Sequence, residues 1–199
     1  MTGRLLIAGV GNIFLGDDGF GPEVAKRLAA VSLPGWVRVA DYGTSGMHLA
    51  YDLADGYDTA ILIDAAPRGD KPGTVSVLDV AAEREPDTGP DAETLGASRL
   101  LDAHGMQPDV VLGMLDMLGG AGPARILVVA CEPASVDYRM ELSEPVAAAV
   151  GEAAQVVLDL VAEAGREHET PGAAGTPAAP AQAPGNHGKG VSHVPWHSR

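Results

Sequence analysis

Three aspartates in this chain stand where short apolar stretches end, and a histidine precedes a helical pattern. The aspartates are Asp18, Asp41 and Asp64, and the histidine is His104. Carboxylates and imidazoles are side chains that bind divalent cations and transfer protons. These four residues are therefore the first candidates for chemistry.

The first of these aspartates belongs to residues 5–21, LLIAGVGNIFLGDDGFG, whose pattern predicts a buried strand, a glycine-rich loop and a helix opening at Pro22. A dinucleotide-binding fingerprint would need a third glycine where Phe14 stands. Asp17 and Asp18 would also repel a pyrophosphate there, so the loop is better suited to a cation. Helix capping is the alternative reason for Asp18, but it explains one of the two acids.

The rest of the chain alternates strand and helix patterns up to its last fifth. Four consecutive apolar residues at 60–63 are typical of a central parallel strand, and the alternating stretch 73–80 follows too closely for a helical crossover. We therefore expect an α/β fold, a three-layer sandwich with a mostly parallel, twisted sheet of about five strands, helices on both faces and one antiparallel edge strand. Further elements are predicted at 22–31, 36–40, 47–53, 110–118, 125–130 and from 143 onward, with a surface loop at 81–97.

Length and composition predict one domain and a tail. Residues 1–165 are enough for a single α/β domain, whereas residues 166–199 are rich in Pro, Gly and Ala without periodicity. Such a segment cannot bury enough apolar surface to fold, so we expect it to be disordered.

The net charge of -14 argues against nucleic acid and anionic membranes as partners. No stretch of the sequence is expected to span a bilayer. Cys131 is the single cysteine, which excludes an internal disulfide and fits a reducing cytoplasm, and we interpret it as a small buried residue near a strand end. A cytoplasmic monomer is the expectation.

In the expected sheet, Asp18, Asp41, Asp64 and His104 all fall at the carboxyl edge, where open α/β sheets bind ligands. Two carboxylates and an imidazole suit a borderline divalent cation such as nickel or zinc better than calcium. The same side chains could serve as an acid and base set without metal. The spacing leaves both possibilities open.

The order of four motifs resembles that of the hydrogenase maturation proteases. Residues 9–21 are similar to the family signature G-x-G-N-x-x-x-x-D-[DE]-G-x-G, and residues 41–47 to its D-x-G-T-x-G-x stretch. Asp64 matches a strand-end aspartate of the family and His104 a histidine at a helix start. The resemblance covers about the first four-fifths of the chain and leaves out the tail.

This resemblance implies an endopeptidase that removes the C-terminal extension of a nickel-iron hydrogenase large-subunit precursor after nickel insertion. It implies Asp18, Asp64 and His104 as ligands of nickel that the substrate protein carries, and it associates Asp41 with cleavage or substrate recognition. The metal would polarise the scissile carbonyl or activate water, with Asp41 as a candidate base. No serine or cysteine nucleophile with a histidine partner is evident.

Two other functions stay open from the sequence. A non-catalytic, nickel-dependent chaperone or checkpoint protein for hydrogenase assembly could use the same three ligands, and alanine at Asp41 would then leave processing unaffected. A nucleotide-dependent enzyme would need phosphate-binding backbone at Gly9 and Gly11, and nucleotides would raise its melting temperature.

Overall fold

The computed structural model describes residues 3–79 and 122–169, with side chains described up to residue 166. A short 3₁₀ turn, Gly16–Gly19, joins the first strand to the first helix. The strands are β1 (Leu5–Val10), β2 (Val37–Gly43), β3 (Thr59–Ala65), β4 (Val75–Asp79) and β5 (Arg125–Cys131), and the helices are α1 (Phe20–Ala29), α2 (Gly46–Ala54) and α3 (Glu144–Glu169).

The five strands form one sheet in the order β2-β1-β3-β5-β4. β1 pairs in parallel with β2 and β3, and β3 pairs in parallel with β5. β4 is antiparallel to β5 and lies at the edge. The expected mostly parallel sheet with one antiparallel edge strand is confirmed.

Alternation along the central strands places helices on both faces of this sheet. Leu5 and Ile7 of β1 belong to a core cluster with α1 and α3, whereas Leu6 and Ala8 belong to a second cluster with Leu49 of α2. Because successive side chains of a strand point to opposite faces, each face has its own apolar core. The three-layer arrangement is confirmed.

Two element boundaries differ from the sequence expectation. α1 begins at Phe20, two residues before Pro22, because the 3₁₀ turn leads directly into it. β2 does not end at Asp41 but continues to Gly43, since Gly43 pairs with Val10 of β1 after an irregularity in the register.

Contrary to expectation, one helix in the described part meets a length and composition criterion for crossing a membrane. It is the Glu144–Arg166 part of α3. Val146, Ala153 and Val157 of this helix are fully buried in the core that it shares with α1 and the sheet. These are the features of a core helix, which passes the same test.

Several of the elements predicted from the sequence cannot be compared with the structure. The predicted loop at 81–97, the helix at 110–118 and residues 170–199 of the tail lie outside the described residues. α3 continues to Glu169, beyond the expected domain end at residue 165. The two-part domain division stays a prediction.

Candidate functional site

Asp18 lies in the 3₁₀ turn between β1 and α1, at the carboxyl edge of the sheet. Its Oδ2 atom accepts a hydrogen bond from the backbone N–H of Asn12 at 2.7 Å, and the side chain is half-buried. The residue before α1 is Gly19, and no side-chain cap bonds to this helix. Gly19 and not Asp18 therefore occupies the N-cap position of α1, and the Asp18 carboxylate fixes the glycine loop that precedes the turn.

Asp64, the next-to-last residue of β3, is 9% exposed. Burial raises the pKa of Asp64 to about 8, the charge of Asp18 contributes to the increase, and a hydrogen bond from the Ala65 N–H opposes it. The structure thus brings Asp18 and Asp64 close enough to repel each other. No ion pair in the part of the chain that the structure describes includes Asp64. A cation or a proton would stabilise this carboxylate pair.

The glycines of residues 9–21 are explained by close packing of backbone against backbone. A Cβ atom on Gly21 would clash with the carbonyl oxygens of Val10 and Ile63 and would lie 2.6 Å from the nitrogen of Val10. A Cβ atom on Gly9 would lie 2.5 Å from the Gly21 oxygen. The start of α1 therefore rests directly on β1 and β3. This is the helix-to-strand packing role of the third glycine in dinucleotide-binding folds, without a requirement for a nucleotide.

Asp17, the neighbour of Asp18, has a separate role that sequence reasoning missed. Its side chain is fully buried and accepts four hydrogen bonds from Ala134, Ser135 and Ser143. Burial raises the pKa of Asp17, but the bonds from these backbone N–H groups and from the Ser143 hydroxyl outweigh it, so the pKa is lowered. The donors are 117 to 126 residues away in sequence, so local patterns carry no signal for this role.

Asp41 is exposed on β2, and its Oδ1 atom accepts a hydrogen bond from the N–H of Gly43 at 2.9 Å. Gly9 of β1 pairs with Asp41 on one side and with Ile63 of β3 on the other. Two strand spacings thus separate the backbones of Asp41 and Ile63 by about 10 Å. Asp41 lies at the same edge of the sheet as Asp64, but across the intervening β1.

The predicted third ligand, His104, lies outside the described residues. Within residues 3–79 and 122–166, no group of three or more His, Cys, Asp or Glu side chains could hold a metal ion. The close pair Asp18 and Asp64 fits a divalent cation because its mutual repulsion would be relieved by positive charge. The complete ligand set stays a prediction.

Cys131 is fully buried at the end of β5, as expected. Burial raises the pKa of its thiol to about 11, and the negative charges of Asp17 and Glu132 add to the effect. Because the thiolate is the nucleophilic form, this cysteine is unsuited to attack a peptide bond at neutral pH.

Known proteins are similar to this chain in both sequence and fold. A family model described as hydrogenase maturation protease matches residues 22–160. The hydrogenase expression/formation protein HupM of Azotobacter chroococcum is 33% identical over 171 residues, covering 83% of this chain and 76% of that protein. The hydrogenase 2 maturation protease of Escherichia coli is 30% identical over 171 residues, with 82% of this chain and 94% of that protein covered. The solved structure of the E. coli hydrogenase maturating endopeptidase HybD superposes with a TM-score of 0.62 at 28% identity, over 81% of this chain and 94% of that one.

Proposed function

The chain belongs to the hydrogenase maturation protease family, and we propose that it is an endopeptidase that removes the C-terminal extension of a nickel-iron hydrogenase large-subunit precursor. The observation that carries this proposal is the carboxylate pair at the carboxyl edge of the sheet, formed by the half-buried Asp18 and the buried Asp64. A rigid backbone contact at Gly21 supports the turn that holds Asp18. Family membership supports the type of reaction, and the carboxylate pair indicates where on the sheet edge it would take place.

The pair is suited to recognise a metal that arrives with the substrate. We infer that Asp18 and Asp64, together with His104, contact the nickel already seated in the precursor. With Asp64 tending to hold a proton at neutral pH, cation binding would be accompanied by proton release. A precursor without nickel would bring no cation to Asp18 and Asp64 and would bind more weakly. Cleavage would therefore follow nickel insertion.

Peptide hydrolysis at this edge needs water activation and carbonyl polarisation. The bound nickel would supply Lewis acidity next to the scissile bond. Asp41 is exposed and lies about 10 Å along the sheet edge from the β3 backbone. An extended peptide that crosses the carboxyl edge of the sheet from β2 over β1 to β3 would lie within reach of both carboxylate positions, so Asp41 is the proposed base. The buried, protonated thiol of Cys131 takes no part.

The proposed setting is a cytoplasmic monomer that meets the folded precursor and needs no nucleic acid or membrane. The net charge of -14 supports the absence of nucleic acid and anionic membrane, and the single buried cysteine supports a reducing cytoplasm.

The test is a cleavage assay on a large-subunit precursor prepared with and without nickel, followed by mass spectrometry. Loss of a C-terminal peptide from the nickel-loaded precursor alone is expected for the native protein. Asp64→Asn, Asp41→Asn and His104→Ala should each abolish cleavage. The matched control is Asp58→Asn, because Asp58 stands just before the opposite end of β3 and bonds to the Arg4 N–H.

Each outcome of this assay decides something. An intact precursor that still forms a nickel-dependent complex with the native protein would overturn the endopeptidase and favour the chaperone or checkpoint alternative. Equal cleavage of the precursor with and without nickel would refute metal recognition but would support the endopeptidase activity. Retained cleavage by the Asp41→Asn variant would refute the role of Asp41 as the base.

A further inference from the structure

The buried carboxylate of Asp17, next to the proposed metal ligand Asp18, is hydrogen-bonded to a segment of the chain that is distant in sequence. Asp17 Oδ2 accepts bonds from the N–H groups of Ala134 (2.7 Å) and Ser135 (3.0 Å) and from the hydroxyl of Ser143 (2.9 Å). Its Oδ1 accepts the N–H of Ser143 at 2.6 Å. Four directed bonds to one fully buried carboxylate fix both its position and its orientation.

The backbone around Asp17 is held to the same segment, residues 134–143. The Asp17 N–H donates to the Ser135 oxygen at 3.0 Å, and the Gly16 N–H donates to the Arg139 oxygen at 2.7 Å. The Arg139 N–H in turn donates to the Phe14 oxygen at 3.1 Å. Gly16 has a φ of +57°, and a Cβ atom there would lie 2.9 Å from the Ser135 oxygen. The turn is therefore pressed tightly onto this segment.

Asp18, the residue next to Asp17, is a proposed metal ligand, so the proposed function requires its carboxylate to be correctly oriented. Asp18 follows Asp17 inside the same four-residue 3₁₀ turn, so a shift of the turn's backbone at Asp17 would move Asp18 as well. Asp18 is bonded to the Asn12 N–H on the other side of the turn. We propose that Asp17 is a positioning residue that holds the Gly16–Gly19 turn on residues 134–143 and so orients the Asp18 carboxylate at the site.

This inference rests on the proposed function for its catalytic consequence, but its structural part can be measured independently. The amide of Asn12 reports the place of the Asp18 carboxylate, because the two are directly hydrogen-bonded. Its resonance in a ¹H–¹⁵N spectrum of the full-length protein should shift when Asp17 is changed. A role limited to global stability would leave this amide unchanged in the folded state.

The experiment compares Asp17→Asn with Val157→Ala, a core truncation on α3 that destabilises the fold without touching the turn. Both variants are measured below their unfolding transitions. Asp17→Asn should move the Asn12 amide and lower kcat/KM for the nickel-loaded precursor about 10- to 100-fold, as changes in residues that orient metal ligands do. Val157→Ala should leave both at native values.

A second pair of variants covers the case in which Asp17→Asn does not fold. Ser143→Ala removes one hydroxyl donor to Asp17, whereas Ser143→Thr keeps it. The alanine variant should shift the Asn12 amide and lower kcat/KM, and the threonine variant should restore both. An unmoved Asn12 amide in Ser143→Ala and in any folded Asp17→Asn would overturn the proposal. If the native protein does not cleave, the proposed function fails, and the amide comparison still decides whether Asp17 positions Asp18.

Discussion

Alanine at Gly21 tests whether the start of α1 must touch the sheet. Alanine normally stabilises a helix by about 1 kcal/mol relative to glycine. At Gly21 we expect the opposite sign, because a Cβ atom would meet three backbone atoms of β1 and β3, including the Val10 nitrogen at 2.6 Å. Ordinary contact begins at 3.4 Å, and the carbonyl oxygens of Val10 and Ile63 lie nearer than the nitrogen, so helix and sheet would have to separate by more than about 0.8 Å.

The expected cost is larger than that of ordinary overpacking. Flexible side chains can rotate away from an added methyl group, but the obstacles here belong to the backbone of two paired central strands. We expect a loss of at least about 3 kcal/mol in the free energy of unfolding. For a domain of this size that loss corresponds to a melting temperature about 6–12 °C lower.

The matched control is Gly151→Ala on α3. No heavy atom lies within 4 Å of a Cβ built at Gly151. This variant should be about 0.5–1 kcal/mol more stable than the native protein, as helix propensity predicts. Urea unfolding followed by circular dichroism measures both changes. Equal stability of Gly21→Ala and the native protein would refute the close-packing argument.

Three further predictions concern the titratable side chains. The folded pKa of Asp64 is about 8, above its unfolded value of 3.8, so its stabilising contribution is full below about pH 4 and is lost as the pH rises through 8. Asp64→Asn should therefore flatten the fall in melting temperature over that interval in calorimetry, and an unchanged pH profile would contradict the raised pKa. The pKa of Asp17 is lowered, so its contribution is present above pH 3.8 and is lost as the pH falls further. Asp17→Asn should be less stable than the native protein at pH 7, with a gap that narrows in acid, and a constant gap would contradict the assignment. Cys131 should resist a thiol reagent at pH 7 until the protein unfolds, and Cys131→Ala should keep full cleavage activity; labelling of the folded protein would contradict its burial.

The sheet could be predicted because its signals are local. The apolar run at 60–63 marks the central strand, and the short connection to residues 73–80 indicates the antiparallel edge strand that the structure contains. The extension of β2 past Asp41 could not be predicted, since it depends on an irregular register that pairs Gly43 with Val10. Asp18 and Asp64 could be selected as candidates from their positions at strand ends. Their mutual repulsion required the folded geometry.

Asp17 and Asp18 show why adjacent acids need different explanations. The charge of Asp17 is stabilised by four hydrogen-bond donors from residues 134–143, and these bonds lower the pKa of its carboxyl group. Asp18 instead acts on Asp64, whose pKa rises through burial and through the nearby negative charge. One carboxylate thus holds the turn together, while the other adds negative charge near Asp64, which forms no ion pair within residues 3–79 and 122–166.

Under the proposed function, that excess of negative charge would make the site selective for a substrate that carries a metal. A substrate that brings a divalent cation relieves the repulsion at Asp64, whereas the same protein without its metal brings no compensating charge. The free energy gained on binding would then depend on the metal and not on the peptide sequence alone. A protease built in this way would need no separate sensor for the state of its substrate, because the residues that contact the metal would also determine when the peptide is held for cleavage.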